Sequence, residues 1–258
     1  MSFASGPRLR RVRRFLRRSP RRAFTHVVPL GLSCRVTYQV RAYFGTGIAY
    51  PFDWWISPLA GLTEYLADLD PRRIYAPEAL EELVENGRVT AIQTRESGIQ
   101  LFHELPRYRD ASDVSVVSPG WQGHLAAAAE KHTHRLKRLK ALNRKGNRIL
   151  FVRHKRDVEP QPENDEDAED DPSPLIARLW DTLRGQWSEA EVHLLLINLP
   201  GASRPVDRVL SLHFDDPPGP PPESWRGETA RWTAALSSLG LAPLNASEPG
   251  MGHPSPPD

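Results

Sequence analysis

The stretch Thr25 to Phe44, THVVPLGLSCRVTYQVRAYF, decides how the rest of the chain is read. Thr25 to Gly31 reads as a short strand, Gly31 to Ser33 as a turn, and Cys34 through Phe44 as a helix, so the chain opens with a strand feeding directly into a helix. The pattern then continues. Pro58 to Leu69 and Pro77 to Asn86 read as two helices opened by proline, the second closed by Asn86-Gly87, with the Asp70-Pro71 break between them. Ile99 to Phe102 reads as a strand ending at His103-Glu104, Trp121 to Lys145 as a long helix, and Arg148 to Arg153 as a buried strand. A helix over Leu175 to Trp187, strands over Glu191 to Leu199 and Val206 to Phe214, and a final helix over Ser224 to Leu239 complete the reading. Alternating strands and helices predict an α/β fold, a mainly parallel sheet with helices on both faces.

Charge divides the chain unevenly. Nine arginines crowd between Arg8 and Arg22; without them 25 basic residues face 32 acidic ones, a balance of about −7. Residues 1–25 therefore read as a basic tail suited to weak contact with an anionic membrane or nucleic acid through Arg8 to Arg22, or as an arginine-rich disordered leader. Residues 26–245 read as a single α/β domain and 246–258 as a flexible tail. Residues 157–174 carry nine acids and four prolines, which predicts a disordered surface insertion in that domain. No apolar run approaches the ~20 residues of a transmembrane helix, and arginines interrupt every candidate signal sequence. With one cysteine, an intramolecular disulfide and a multi-cysteine zinc site are excluded, and a cytoplasmic location is expected.

Several common chemistries lack their motifs. There is no Walker sequence, no Gly-x-Gly-x-x-Gly and no Gly-x-Ser-x-Gly, and no cofactor is expected. His124, His132 and His134 share the long helix without the spacing of a ligand pair, and Arg135, Lys137, Arg138, Lys140, Arg144 and Lys145 read as a solvated basic face or as a site for an anionic ligand. Cys34 is different. A thiol at a helix N-terminus meets the positive end of the helix dipole, as a nucleophile requires, with Arg35 and Arg41 able to add to that field; a lone cysteine behind a strand is also commonly just buried. Asp53, between aromatics in Tyr50-Pro51-Phe52-Asp53-Trp54-Trp55, needs a strong partner if buried, or else caps the following helix.

The run LGLSCRVTYQVRAYFGTGIAYPFDWWISPL resembles the N-terminal signature of a bacterial family of unknown function that carries the name papain-like cysteine peptidase. The matching positions are Leu30, Gly31, Cys34, Pro51, Phe52, Asp53 and Trp54, followed by Phe102, His103 and Glu104, a basic helix over His134 to Lys140, and a strand over Ile149 to Arg153. Thr37 departs from the family's small apolar residue. The resemblance implies a cysteine peptidase, or a related cysteine-dependent hydrolase or acyl transferase. In it Cys34 is the nucleophile, His103 the base and Asp53 an orienting acid. The name also implies a papain-like α+β fold, whereas the continued alternation favours α/β. Two other classes suit the same residues: a noncovalent, glycosyltransferase-like protein handling sugars or nucleotides at the strand C-termini, and a noncatalytic binding module.

Overall fold

The computed structural model describes residues 23–155, 173–199, 207–219 and 224–244. From β1 (His26–Pro29) the chain enters α1 (Cys34–Phe44), α2 (Leu59–Asp68) and the single turn α3 (Arg72–Tyr75). Two hairpins follow, β2 (Leu80–Glu85) with β3 (Arg88–Thr94), then β4 (Arg107–Arg109) with β5 (Ser115–Val117). Next, α4 (Leu125–Lys140) leads to β6 (Arg148–His154) and α5 (Ser173–Gln186) to β7 (Glu191–Ile197). Finally, β8 (Val209–Leu212) precedes α6 (Thr229–Ser238).

The fold is α/β, built on a four-stranded sheet in the order β1-β6-β7-β8 with every pairing parallel. A parallel sheet covered on both faces needs apolar side chains on both sides of each central strand, and β6 and β7 supply them. Ile149, Phe151, Leu194 and Leu196 join a core with residues of α2, α4 and α5. The intervening Leu150, Val152, Leu195 and Ile197 join a second core with Val36, Val40 and Phe44 of α1 and Trp232 and Leu236 of α6. Val36, Val40 and Phe44 recur every fourth residue, so one stripe of α1 lies on the sheet. Gly45, in the left-handed region at φ 67°, ends that helix by giving its N–H to Arg41 O at 2.9 Å.

Several segments differ from their sequence reading. Pro77 to Asn86 is not a helix: a 3-10 turn over Pro77–Ala79 gives way to β2, and Asn86 and Gly87, at φ 50° and 76°, form the turn to β3. Two successive left-handed residues match the twist of a two-residue hairpin, and this outweighed the helix-like spacing of Leu80, Leu83 and Val84. Ile99 to Phe102 forms only bridges at Gln100, to Ile56 and Gln93. The long helix is shorter than expected, with a 3-10 turn over Trp121–His124 before α4 and turns after Lys140. The β4–β5 hairpin had no counterpart in the sequence reading. At the N-terminus, Phe24 is buried and Thr25 N donates to Arg148 O at 2.9 Å, so the folded chain begins before residue 26. Arg8 to Arg22, residues 157–172 of the acidic insertion and residues 245–258 lie outside the described residues, while Ser173 and Pro174, also assigned to that insertion, open α5. Among the described residues no helix is long and apolar enough to cross a membrane.

Candidate active site

Beyond β1 the backbone makes an abrupt change of direction at the C-terminal edge of the sheet. Leu30 still pairs with β6, its N–H donating to Val152 O at 2.9 Å. Gly31 and Leu32 then both adopt left-handed backbone, at φ 75° and 80°. A side chain at Gly31 would place its Cβ 2.8 Å from Ser57 Oγ and 3.2 Å from Phe52 O, so only glycine fits. Leu32 has no such freedom, and its conformation costs about 1–2 kcal/mol that the surroundings must offset. Arg153, 1% exposed on β6, braces the turn: Nη1 donates to Leu30 O at 3.0 Å and to Ser57 Oγ at 3.1 Å, and Nη2 to Ser57 O at 2.6 Å. Cys34 is thereby held as the first residue of α1, half-buried.

His103 arrives from the other side. Gln100 N donates to Ile56 O and Leu101 N to Ile92 O, at 2.8 and 2.9 Å, and the following turn projects the imidazole toward α1. Its Nε2 lies 2.9 Å from Cys34 Sγ. The ring packs edge-on against Trp54 and Phe102, with centroids 5.6 and 4.9 Å away. Burial, assisted by the positive charge of Arg107, lowers the His103 pKa to about 4. At neutral pH the imidazole is therefore uncharged, and its Nε2 and the Cys34 sulfur share a hydrogen bond.

Asp53 is not joined to this pair. Its side chain is fully buried, and Oδ2 accepts the Tyr50 N–H at 2.7 Å and the Arg41 guanidinium. Burial pushes its carboxyl up to about 6 against the pull of Arg41. Among the described residues no hydrogen bond links Asp53 to His103, so the acid fastens the loop that carries Trp54 instead of orienting the imidazole. Thr37 donates its hydroxyl to Asp53 O and ties that loop to α1. Arg35 and Arg41, able to add to the field at the thiol, are each held by a carboxylate. Arg41 is taken up by Asp53, and Arg35 by Asp216 at 3.0 Å and by Trp225 O at 2.9 Å.

The residues bracing the site were the part sequence reasoning missed. Arg135, assigned to a solvated face, is buried and donates to Glu104 at 2.8 Å. His132 is completely buried, stacked 5.0 Å from Trp55, with Nε2 2.5 Å from the Tyr65 hydroxyl. Behind α1, Asp216 also takes the Trp232 indole N–H at 2.8 Å and lies 3.3 Å from His154 Nε2. Placing Arg135 and His132 one helical turn apart, on the side of α4 that carries Leu136 and Leu139, would have flagged both as inward-facing. No comparable signal points to Asp216. Among the described residues no group of three or more His, Cys, Asp or Glu side chains could hold a metal ion. Comparison with known protein families, with characterised proteins and with solved structures yields no match to this chain.

Proposed function

We propose that the chain is a cysteine-dependent hydrolase or acyl transferase, with Cys34 as nucleophile and His103 as its base. The observation that carries this reading is the 2.9 Å approach of Cys34 Sγ and His103 Nε2, made between elements 69 residues apart in sequence. A buried structural cysteine has no need of an imidazole at hydrogen-bond distance, whereas nucleophilic catalysis does. In the reaction, Sγ bonds to the carbonyl carbon of the acyl substrate as its proton passes to His103 Nε2. Collapse of the tetrahedral adduct expels the leaving group, which takes that proton, and leaves a thioester on Cys34. Water or an acceptor nucleophile then attacks the thioester, giving its own proton to Nε2, and the returning proton restores the thiol. The N-terminus of α1 favours negative charge on sulfur and offers backbone N–H groups to the developing oxyanion. Because His103 is uncharged at neutral pH, it can take the proton without first losing one, and burial makes it a weaker base than a free imidazole.

An activated ester tests this directly. With p-nitrophenyl acetate, the folded chain should release a burst of nitrophenol and gain an acetyl group on Cys34, seen by intact mass. Cys34→Ala should abolish both, and His103→Ala should slow acylation by about 100-fold or more. A burst that survives in Cys34→Ala overturns the assignment. So does a thiol that reacts only after denaturation, which would favour a noncovalent role.

A further inference from the structure

One cation beside the pair has no counterpart in the chemistry above. Arg107 begins β4, and its guanidinium is fixed on several sides. Nε donates to Ser115 Oγ at 2.9 Å, Nη2 donates to Ser115 O and Thr90 O at 2.8 Å each, and the group lies 3.9 Å above the Phe102 ring. The Phe102 ring is in turn 4.9 Å from that of His103, and the charge of Arg107 acts on the His103 imidazole. Arg35, Arg41 and Arg135 are buried around the same site, and each meets a carboxylate: Asp216, Asp53 and Glu104. Arg107 is partly buried, and among the described residues it meets none. Its Nη1 has no acceptor among them, and the residue keeps part of its surface exposed.

A guanidinium drawn partly out of water with no counter-ion among the described residues is held there at a free-energy cost that backbone carbonyls only partly offset. Burial accordingly lowers its pKa. An anion arriving at the open edge would supply the missing charge. Because Nε and Nη2 are already fixed, the guanidinium loses little freedom on binding it. We propose that Arg107 is the specificity-determining residue of the Cys34–His103 site and binds a carboxylate carried by the acyl substrate close to the carbonyl under attack. The assignment rests on the reading of Cys34 as nucleophile and adds a substrate class to it, acyl compounds bearing a nearby carboxylate.

Two alkylating reagents that differ in charge provide the test. Rates of Cys34 alkylation by iodoacetate, which carries a carboxylate, and by neutral iodoacetamide are measured at pH 7 on the folded chain and on the denatured chain. The iodoacetate-to-iodoacetamide ratio should be about tenfold higher in the folded chain, as a charge-assisted contact provides, and should fall at high salt. Arg107→Gln should bring the ratio down to that of the denatured chain, while Arg107→Lys should keep most of it. If Arg107→Gln does not fold, the lysine variant and the salt dependence of the unaltered chain carry the test. Ready reaction with iodoacetamide at an unchanged ratio overturns the role of Arg107 and leaves the nucleophile standing. Reaction with neither reagent until the chain is denatured overturns both.

Discussion

Arg135 reaches from α4 to Glu104, the residue that follows His103, and the two side chains meet at 2.8 Å with 9% and 1% of their surfaces exposed. An ion pair this deeply buried stabilises little as a pair, but loss of either member strands the other charge. Glu104→Gln or Arg135→Met should each lower the free energy of unfolding in urea by about 3 kcal/mol or more, and the double variant by clearly less than the sum. Because the pair anchors the turn bearing His103, Glu104→Gln should also slow Cys34 alkylation in molecules that remain folded.

Asp53 provides the contrasting case. Asp53→Asn removes the counter-charge of Arg41 and should cost about 3 kcal/mol of stability. Alkylation of Cys34 in the folded variant should change by no more than about twofold, whereas loss of a catalytic base has an effect of about 100-fold. A large, specific loss of Cys34 reactivity in Asp53→Asn would return Asp53 to the role of orienting acid.

His132 should make stability depend on pH. Burial lowers its pKa to about 3, helped by the nearby charge of Arg135. The pKa of Tyr65 is raised, so its hydroxyl stays protonated and shares a hydrogen bond with Nε2 of a neutral imidazole. As pH falls below about 6.5 the unfolded chain takes up a proton at this histidine that the native chain refuses, so acidification favours unfolding. Between pH 7 and 5 this should remove about 2 kcal/mol, and His132→Gln should flatten the slope in urea titrations. Asp53 acts in the opposite sense over pH 4 to 6, because its raised carboxyl binds a proton more readily in the native chain. The two variants should therefore change the slope in opposite directions.

Gly31→Ala should be disproportionately harmful for a one-carbon change. It combines a left-handed backbone with contacts of 2.8 Å to Ser57 Oγ and 3.2 Å to Phe52 O. A loss of about 2 kcal/mol or more is expected, compared with a change within about 0.5 kcal/mol for an ordinary surface substitution.

Truncation should locate the start of the folded chain. Phe24 is 6% exposed, joins the core on the α1 side of the sheet, and meets His193 edge-on at 5.1 Å. Deleting residues 1–22 should leave the melting temperature nearly unchanged, whereas Phe24→Ala should cost about 3 kcal/mol. Equal effects from the two changes would contradict this boundary.

Legibility in the sequence followed the locality of the physics. The helix from Cys34 to Phe44 matches α1, and the apolar run Leu194 to Ile197 forms the C-terminal half of β7, because each signal is contained in its own segment. Pro77 to Asn86 misled because acidic residues between Leu80, Leu83 and Val84 satisfy a helical spacing, while pairing with Arg88–Thr94 is a property of two segments together. The site divides in the same way. Cys34 and His103 stood out through a motif resemblance. The pairing of Arg135 with Glu104, that of Arg35 with Asp216 and the contacts of Arg107 with Thr90 and Ser115 exist only after distant elements meet, so no local pattern announces the partners.

The pairing of β1 with β6 also sets an order of events during folding. Val28 aligns with Phe151 and Pro29 with Val152, so the strand that leads into Cys34 waits for a partner more than 120 residues further along the chain. Closing so long a loop before its contacts are rewarded slows the search for the native state. On a ribosome, Cys34 would emerge long before the strand that fixes its turn, and Arg153 emerges with that strand. Reactivity of Cys34 should thus appear late and abruptly, once β6 docks, making the thiol a clock for the final stage of folding.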